Sequence, residues 1–220
     1  MKTISIINLK GGVAKTLTAD NMAHVLAVFH NKRVLLVDND KQGNTSKAFG
    51  VHSYDEKSLS DILTARRLDP WEVIRKTRFE NIDVLPANMT LIRANLEVMM
   101  DSARPQQTRL RDALNVVAKD GFYDYCIIDN APDINISTIN ALVASDDVII
   151  PIKIDKYAFD GLAELKIPSK KTYYYKISYV GFVPATGKIE ATETEKTVYL
   201  EEDHLGLNEV VVTGSRTARP

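Results

Sequence analysis

Residues 4–16 read ISIINLKGGVAKT, in which an apolar run leads directly into a glycine-rich loop that ends in Lys-Thr. This order predicts a strand, a tight turn and a helix. Backbone N–H groups of residues 11–16 can converge on phosphate oxygens, while Lys15 neutralises their charge and the Thr16 hydroxyl ligates Mg²⁺. The stretch predicts a phosphate-binding loop in an α/β protein, with an ordinary glycine turn as the alternative.

The loop departs from the usual G-x-x-x-x-G-K-[ST] pattern of phosphate-binding loops. Leu9 and Ala14 occupy its two glycine positions, and Lys10 is an additional lysine. Alanine at position 14 fits if its φ is negative and is strained if its φ is positive. Both cases are compatible with the sequence.

Two further apolar runs end in carboxylates. Residues 33–44 read RVLLVDNDKQGN, where Asp38 and Asp40 would lie on one side of an extended chain. Residues 123–132 read YDYCIIDNAP, where Asp129 closes a buried-looking strand. Carboxylates at strand ends beside a phosphate loop suit Mg²⁺ organisation and water positioning, although turn residues would give a similar pattern.

The order of these motifs resembles the ParA/MinD family of ATPases over residues 1–165, with Ala14 and Lys41 in place of the family's glycine and proline. The resemblance implies that Asp40 orients the attacking water and that Lys10 reaches the phosphates of a partner subunit. It implies Mg²⁺ residues, which are Thr16, Asp38 and Asp129. It also implies an ATP-binding loop, which comprises Lys10, Gly11, Gly12, Val13, Ala14, Lys15, Thr16 and Leu17.

The same resemblance implies a nucleotide-dependent homodimer that serves plasmid or chromosome partition, with non-specific DNA and a ParB-like protein as partners. Residues 147–165 resemble the family's next strand and helix, with Pro151 in the strand and Gly161 in the helix. Family members continue further, so we expect an ATPase domain that is incomplete after residue 165. Binding is therefore a safer expectation than turnover.

Alternating apolar periods predict strands at residues 3–8, 33–38, 82–86, 125–129 and 148–152, separated by helices. This rhythm favours a three-layer P-loop sandwich with a mostly parallel sheet. The predicted helices have apolar positions at Leu17, Met22, Val25, Leu26 and Phe29; Leu91, Ala94, Leu96 and Val98; Leu110, Leu114 and Val117; and Ile136, Ile139, Leu142 and Val143.

Composition is that of a globular protein, with 45% hydrophobic and 26% charged residues. The single cysteine, Cys126, excludes a disulfide framework and a CxxC metal site. No signal peptide or run of about 18 apolar residues is present, so the cytoplasm is the expected location.

A net charge of −1 gives no overall attraction to DNA, so any contact needs a local basic patch. A solvated helix face is the alternative for both candidate clusters. They comprise Arg66, Arg67, Arg75, Lys76 and Arg78 around Trp71, and Arg104, Arg109 and Arg111 at the start of a predicted helix.

The chain changes character after a linker at residues 166–171. Residues 172–220 have strand-like alternation and resemble the small β domain and TonB box that precede a TonB-dependent receptor, with residues 210–213 suited to strand addition. The chain is thus interpreted as a composite of an ATPase and a small all-β segment. Alternatives are a truncated non-enzymatic chimera, a tyrosine kinase that uses Tyr173, Tyr174 and Tyr175, and a membrane-positioning ATPase.

Overall fold

A computed structural model of the protein describes residues 1–152, 172–177, 183–190, 198 and 201. The chain divides into two units, residues 1–165 and residues 166–220. The predicted helix that contains Gly161, and the predicted TonB box at residues 210–213, lie outside the described residues.

The described part of the first unit alternates strands with helices. Its strands are β1 (Lys2–Ile6), β2 (Val34–Asn39), β3 (Arg75–Lys76), β4 (Ile82–Leu85), β5 (Tyr125–Asn130) and β6 (Asp147–Ile149). Its helices are α1 (Lys15–His30), α2 (Asn44–Ala48), α3 (Leu59–Thr64), α4 (Leu91–Met100), α5 (Arg109–Lys119) and α6 (Ile136–Ala144), with a 3₁₀ helix at Pro70–Glu72.

These strands form one six-stranded sheet in the order β3-β4-β2-β5-β1-β6. All neighbouring pairs are parallel except β3 with β4, which is antiparallel. Strand β5 lies between β1 and β2, so the ends of the three strands that carry the predicted site motifs meet at one edge. The predicted α/β P-loop fold with a mostly parallel sheet is confirmed.

Alternate residues of each strand are buried on opposite faces of the sheet. Leu35 and Val37 of β2 belong to the larger core cluster, beneath α3, α4, α5 and α6, whereas Val34 and Leu36 pack on the α1 side. This period of two explains why the central strands are continuously apolar, because both faces of a parallel sheet are covered. It also puts Asp38, the next even position after Leu36, on the α1 side.

Helix α1 packs through small residues. Its buried apolar positions are Ala19, Ala23 and Ala27, each one turn after the last, whereas Leu17 and Phe29 are 63% and 74% exposed. The prediction of the helix was correct. Of the apolar positions that marked it, Met22 and Leu26 pack against the core, whereas Leu17, Val25 and Phe29 are exposed. Alanines let the helix axis approach the sheet closely, which brings its first turn toward the ends of β1 and β5.

The other helices agree better with the predicted faces. All three predicted positions of α5, Leu110, Leu114 and Val117, are buried. Leu96 on α4 and Ile139 on α6 are exposed, contrary to prediction. Strand β6 ends at Ile149, so Pro151 follows the strand and does not lie within it.

The described part of the second unit contains an antiparallel pair, β7 (Tyr173–Ile177) and β8 (Ala185–Ile189). Tyr175 pairs with Gly187, and a side chain at position 187 would collide with the Tyr175 ring. Tyr174 is 84% exposed. The predicted β character of this region is therefore correct where the structure describes it.

None of the helices in the described part of the chain combines the length and the apolar character that crossing a bilayer requires.

Candidate nucleotide site

The loop between β1 and α1 is held at its start by Asn8. The buried Asn8 side chain accepts a hydrogen bond from Lys10 N (2.8 Å) and donates one to the Pro151 carbonyl (2.9 Å). Gly12 has φ +72°, a conformation that glycine adopts at no steric cost. The chain then enters α1, whose first N–H groups have no partner within the helix and point along its dipole. This end of α1 is suited to an anion.

Ala14 immediately precedes α1 and has φ +62° and ψ +30°. Its φ is therefore positive, the case in which alanine is strained. A left-handed conformation brings the alanine Cβ close to a carbonyl oxygen and costs about 1–2 kcal/mol. The family's glycine at this position therefore has a conformational reason. In this chain the loop is built at the expense of stability.

We expect Ala14→Gly to raise the melting temperature by about 2–4 °C, since relief of the left-handed conformation outweighs the added flexibility of glycine. Thermal unfolding of the nucleotide-free protein measures this. The matched control is Ala113→Gly in the middle of α5, which should lower stability by about 1 kcal/mol. A lower melting temperature in both variants would contradict the assignment of strain to Ala14.

Lys15, the first residue of α1, is only 7% exposed and donates from Nζ to the Lys10 carbonyl at 3.1 Å. Burial lowers the pKa of its ammonium group, and the negative charges of Asp129, Asp40 and Asp133 partly oppose this effect. A buried cation at a helix N-terminus is an unfavourable arrangement without an anion. The loop is therefore electrostatically prepared for phosphate.

Asp129 and Asp38 are register partners on neighbouring strands β5 and β2. Asp129 is 1% exposed, and its Oδ2 accepts a hydrogen bond from Thr45 Oγ1 at 2.9 Å. Its other oxygen, Oδ1, is buried without a hydrogen-bond partner. An unpartnered carboxylate oxygen in the interior is costly, and a hard cation would satisfy it.

Thr16 and Asp129 therefore fit the role of magnesium residues on the basis of that orphaned oxygen. Within the described residues there is no group of three or more His, Cys, Asp or Glu side chains able to hold a metal. Such a site would rely on phosphate oxygens and water for most of its ligands, as magnesium sites in nucleotide-binding proteins do.

Asp38 is fully buried, and both of its oxygens are used by the chain itself. Oδ2 accepts from Ser46 N (2.8 Å) and Ser46 Oγ (2.6 Å), while Oδ1 accepts from Asp40 N (3.1 Å). These bonds attach the start of α2 to the end of β2. Its predicted support of the magnesium shell would thus be indirect, through the segment that it anchors.

Asp40 lies beyond β2 and is half-buried. Its Oδ1 accepts from Gln42 N at 2.9 Å, and its carbonyl accepts from Gly43 N, which closes a tight turn. Gly43 has φ +63°, and a Cβ there would lie 2.7 Å from both the Ala87 carbonyl oxygen and His52 Cδ2. Glycine is therefore required at position 43 for the turn to present Asp40 beside the loop.

Lys41, which replaces the family's proline, reaches Asp133 in the segment after β5, with Nζ 3.4 Å from Oδ2. Both side chains are about 40% exposed, so the pair contributes little stability. It does link the turn that contains Asp40 with the segment that follows Asp129.

Four residues of this site had no role in the sequence prediction: Asn8, Asp20, Thr45 and Ser46. Asp20 could have been noticed in the sequence, because it lies one turn after Thr16 on the same face of α1. It also lies next to Ala19, on a helix whose buried apolar residues are all alanines. Thr45 had none, since it contacts residues 25 and 84 positions away, whereas Ser46 contacts Asp38 only eight residues before it.

Three carboxyl groups around Thr45 and Ser46 have a raised pKa. Burial raises the pKa of Asp38 to about 7, of Asp129 to about 6 and of Asp20 to about 6. Hydrogen bonds from neighbouring hydroxyls oppose the rise in each case.

Because the folded protein holds these protons more tightly than the unfolded chain, their ionisation destabilises the fold. The stability of the folded protein therefore increases as pH falls from about 8 to about 5. The gain is complete near pH 4, about the pKa of an aspartate in the unfolded chain. We expect the melting temperature of the nucleotide-free protein to exceed that of Asp38→Asn by an amount that grows by about 5 °C over this decrease in pH. Asp112→Asn, on the exposed side of α5, should show no such trend. An equal trend in both variants would contradict the assignment.

Several arginines of the two basic clusters form hydrogen bonds or ion pairs within the fold. Arg109 is 7% exposed and donates to the Leu63 carbonyl (2.8 Å) and to Asp101 (2.9 Å), while Arg104 donates to the Thr64 and Ala65 carbonyls. Arg75 pairs with Glu56. In the second candidate cluster, Arg104 and Arg109 are therefore engaged within the fold, where they stabilise α3 and the start of α5.

A phosphate loop at a helix N-terminus, faced by carboxylates at the ends of two adjacent parallel strands, defines a P-loop nucleotide-binding protein. A family model described as an AAA domain matches residues 1–174, and the chain belongs to this family, among its ParA/MinD-type ATPases. The predicted family of residues 1–165 is confirmed.

Two curated relatives illustrate the similarity. The chain is 44% identical over 165 residues to sporulation initiation inhibitor protein Soj of Bacillus subtilis (strain 168), covering 74% of this chain and 63% of Soj. It is 36% identical over 166 residues to chromosome partitioning protein ParA of Caulobacter vibrioides, covering 75% of this chain and 61% of ParA. The chain thus spans less than two thirds of the length of these relatives.

Solved structures agree with the fold. Cobyrinic acid a,c-diamide synthase from Mycobacterium smegmatis, with a bound ATP analogue and magnesium, matches with a TM-score of 0.64 and 32% identity over 74% of this chain and 66% of that one. A plasmid partition protein from Borrelia burgdorferi B31 bound to AMPPNP matches with a TM-score of 0.63 and 29% identity, over 73% and 66%.

Proposed function

We propose that this protein binds Mg-ATP at the loop of residues 10–17 and hydrolyses it to ADP and phosphate. The observation that supports this most directly is the pairing of a buried Lys15 at the N-terminus of α1 with the unpartnered Oδ1 of Asp129. The carboxylates near Lys15 only partly offset its burial, so a further anion would stabilise its charge, and a cation would satisfy Asp129 Oδ1. A magnesium-bound nucleotide phosphate supplies both.

The chain's own residues divide the chemistry. Backbone N–H groups of the loop and Lys15 hold the phosphates, and Thr16 and Asp129 hold magnesium. Bound magnesium would neutralise charge that develops on the phosphate oxygens. Asp40, in its closed turn beside the loop, orients the attacking water. Phosphoryl transfer depends mainly on such placement, and a rigid turn provides it.

Lys10 has a separate proposed role, as a lysine that reaches the phosphates of a second subunit in a nucleotide-dependent dimer. Its backbone N–H donates to Asn8 Oδ1 at 2.8 Å, which fixes the start of the loop. A cation supplied in trans would stabilise the transition-state charge as an arginine finger does. Hydrolysis would then separate the subunits.

Partition of plasmid or chromosomal DNA is the biological use that we propose, by likeness to the partitioning proteins named above. Non-specific DNA and a ParB-like protein are the corresponding partners. Arg66, Arg67, Lys76 and Arg78 are the exposed members of the first basic cluster. Their contact with DNA would be sensitive to salt.

Two measurements on the wild-type protein test this function. Mg-ATP should raise the melting temperature in proportion to the logarithm of its concentration, and ATP with EDTA should raise it less. The rate of phosphate release per protein molecule should depend on Mg²⁺. It should increase with protein concentration if the dimer is the active form. Absence of any nucleotide-dependent rise would overturn the proposal.

A second candidate is a non-enzymatic P-loop protein with a β-strand interaction tail. It is favoured by one observation, namely the antiparallel pair of β7 and β8, because the edge of such a pair can accept another strand. Residues 172–220 would then act through strand addition, as their resemblance to a TonB box suggests. Nucleotide binding without phosphate release would favour this candidate.

A further inference from the structure

Asp20 of α1 is connected to the magnesium residue Asp129 through a single hydroxyl group. Thr45, in the first turn of α2, is fully buried. Its Oγ1 lies 3.1 Å from Asp20 Oδ1 and 2.9 Å from Asp129 Oδ2. One hydroxyl thus joins α1, α2 and the end of β5.

Thr45 Oγ1 has fewer protons to donate than it has carboxylate neighbours to accept them. A threonine hydroxyl has one proton, whereas an ionised carboxylate only accepts hydrogen bonds. Thr45 can therefore donate fully to Asp20 or to Asp129, but not to both. The Thr16 side chain, which lies one turn before Asp20 on the same face of α1, also favours the ionised form of Asp129 and lowers its pKa.

Occupation of the site changes which carboxylate needs the proton. Without a cation, Asp129 is a buried charge with one unpartnered oxygen, and the hydrogen bond from Thr45 is required. With its charge compensated, Asp129 depends less on Thr45. The hydroxyl is then available to Asp20, the acceptor on α1.

We propose that Asp20 is a positioning residue that holds Thr45, and with it the start of α2, against α1 when magnesium and nucleotide are bound. This inference rests on the proposed function. Asp20 would touch neither the nucleotide nor the metal. The tie also fixes the turn at residues 40–43, because α2 follows that turn directly and its first residues bond back to Asp38.

The test compares the affinity for fluorescent mant-ADP in Mg²⁺ and in EDTA, in the full-length chain. In Asp20→Ala, the gain in affinity that Mg²⁺ provides should fall by about tenfold, while the affinity in EDTA stays near the wild-type value. Asp20→Asn keeps an acceptor oxygen and should retain most of the gain. Thr45→Ser, which keeps the hydroxyl, is the matched control on α2.

A double-mutant cycle separates positioning from a general loss of structure. Thr45→Val should reproduce the loss of Asp20→Ala, and the double variant should lose no more than either single one. The melting temperature of nucleotide-free Asp20→Ala should be at least that of wild type, because a partly desolvated carboxylate is removed.

The outcomes that would overturn the inference are specific. A wild-type Mg²⁺ gain in Asp20→Ala, or additive losses in the double variant, would show that Asp20 does not act through Thr45. Equal losses in Mg²⁺ and in EDTA would assign it a merely structural role. If the wild type itself shows no gain from Mg²⁺, the proposed function fails and this inference with it.

Discussion

Replacing Lys15 by alanine should lower the affinity for Mg-ATP by at least about a hundredfold, because a charge-assisted contact to phosphate is lost from a water-poor loop. Titration with mant-ATP in the presence of Mg²⁺ measures the loss. Since burial already lowers the pKa of this lysine, the folded protein is not stabilised by its charge. The melting temperature of the nucleotide-free variant should therefore stay the same or rise.

That second readout makes the experiment decisive. A variant that binds poorly because it is unfolded would melt at a lower temperature, whereas loss of the phosphate contact alone would not. Lys119→Ala, at the exposed end of α5, is the matched control and should bind as wild type. If Lys15→Ala keeps its affinity within a few fold, the assignment of the phosphate loop is wrong.

Replacing Asp40 by alanine should leave Mg-ATP binding nearly intact and lower turnover by about a hundredfold or more, the range expected for loss of a group that positions and activates water. Steady-state phosphate release and mant-ATP affinity, measured on the same preparation, give the comparison. A parallel fall in both quantities would contradict a role confined to the chemical step.

The turn around Asp40 requires its own control, since Asp40 also accepts a hydrogen bond from Gln42 N. Asp40→Asn preserves an acceptor for that bond but removes the charge, and it should lose turnover as Asp40→Ala does. Normal turnover in Asp40→Asn would assign Asp40 to the turn alone. Asp55→Asn, on an exposed loop, should match the wild type.

The parallel core of the fold was predictable because its strands are buried on both faces and read as uninterrupted apolar runs. Strands β1, β2, β4 and β5 begin and end within two residues of prediction. The short elements were not predictable. Helices α2 and α3 have five and six residues, too few for a full amphipathic period, and β3 has two.

The site was predictable where a rule of topology applies, namely that carboxyl ends of parallel strands share one edge. Asp38 and Asp129 follow that rule and are register partners. Thr45 does not, because its importance arises from contacts with residues 25 and 84 positions away in the chain. The strain at Ala14 was also beyond prediction, since φ depends on how the loop joins α1.

The order of strands in the sheet has a consequence for biosynthesis. Strand β1 lies between β5 and β6, and the Asn130 side chain bonds to the Ile6 carbonyl across a separation of 124 residues. The base of the phosphate loop therefore has no neighbouring strand until the ribosome has made β5. Contacts this distant close slowly and leave apolar segments open to misassociation meanwhile. A nascent chain should acquire its nucleotide affinity late, once β5, β6 and Pro151, whose carbonyl holds Asn8, have emerged.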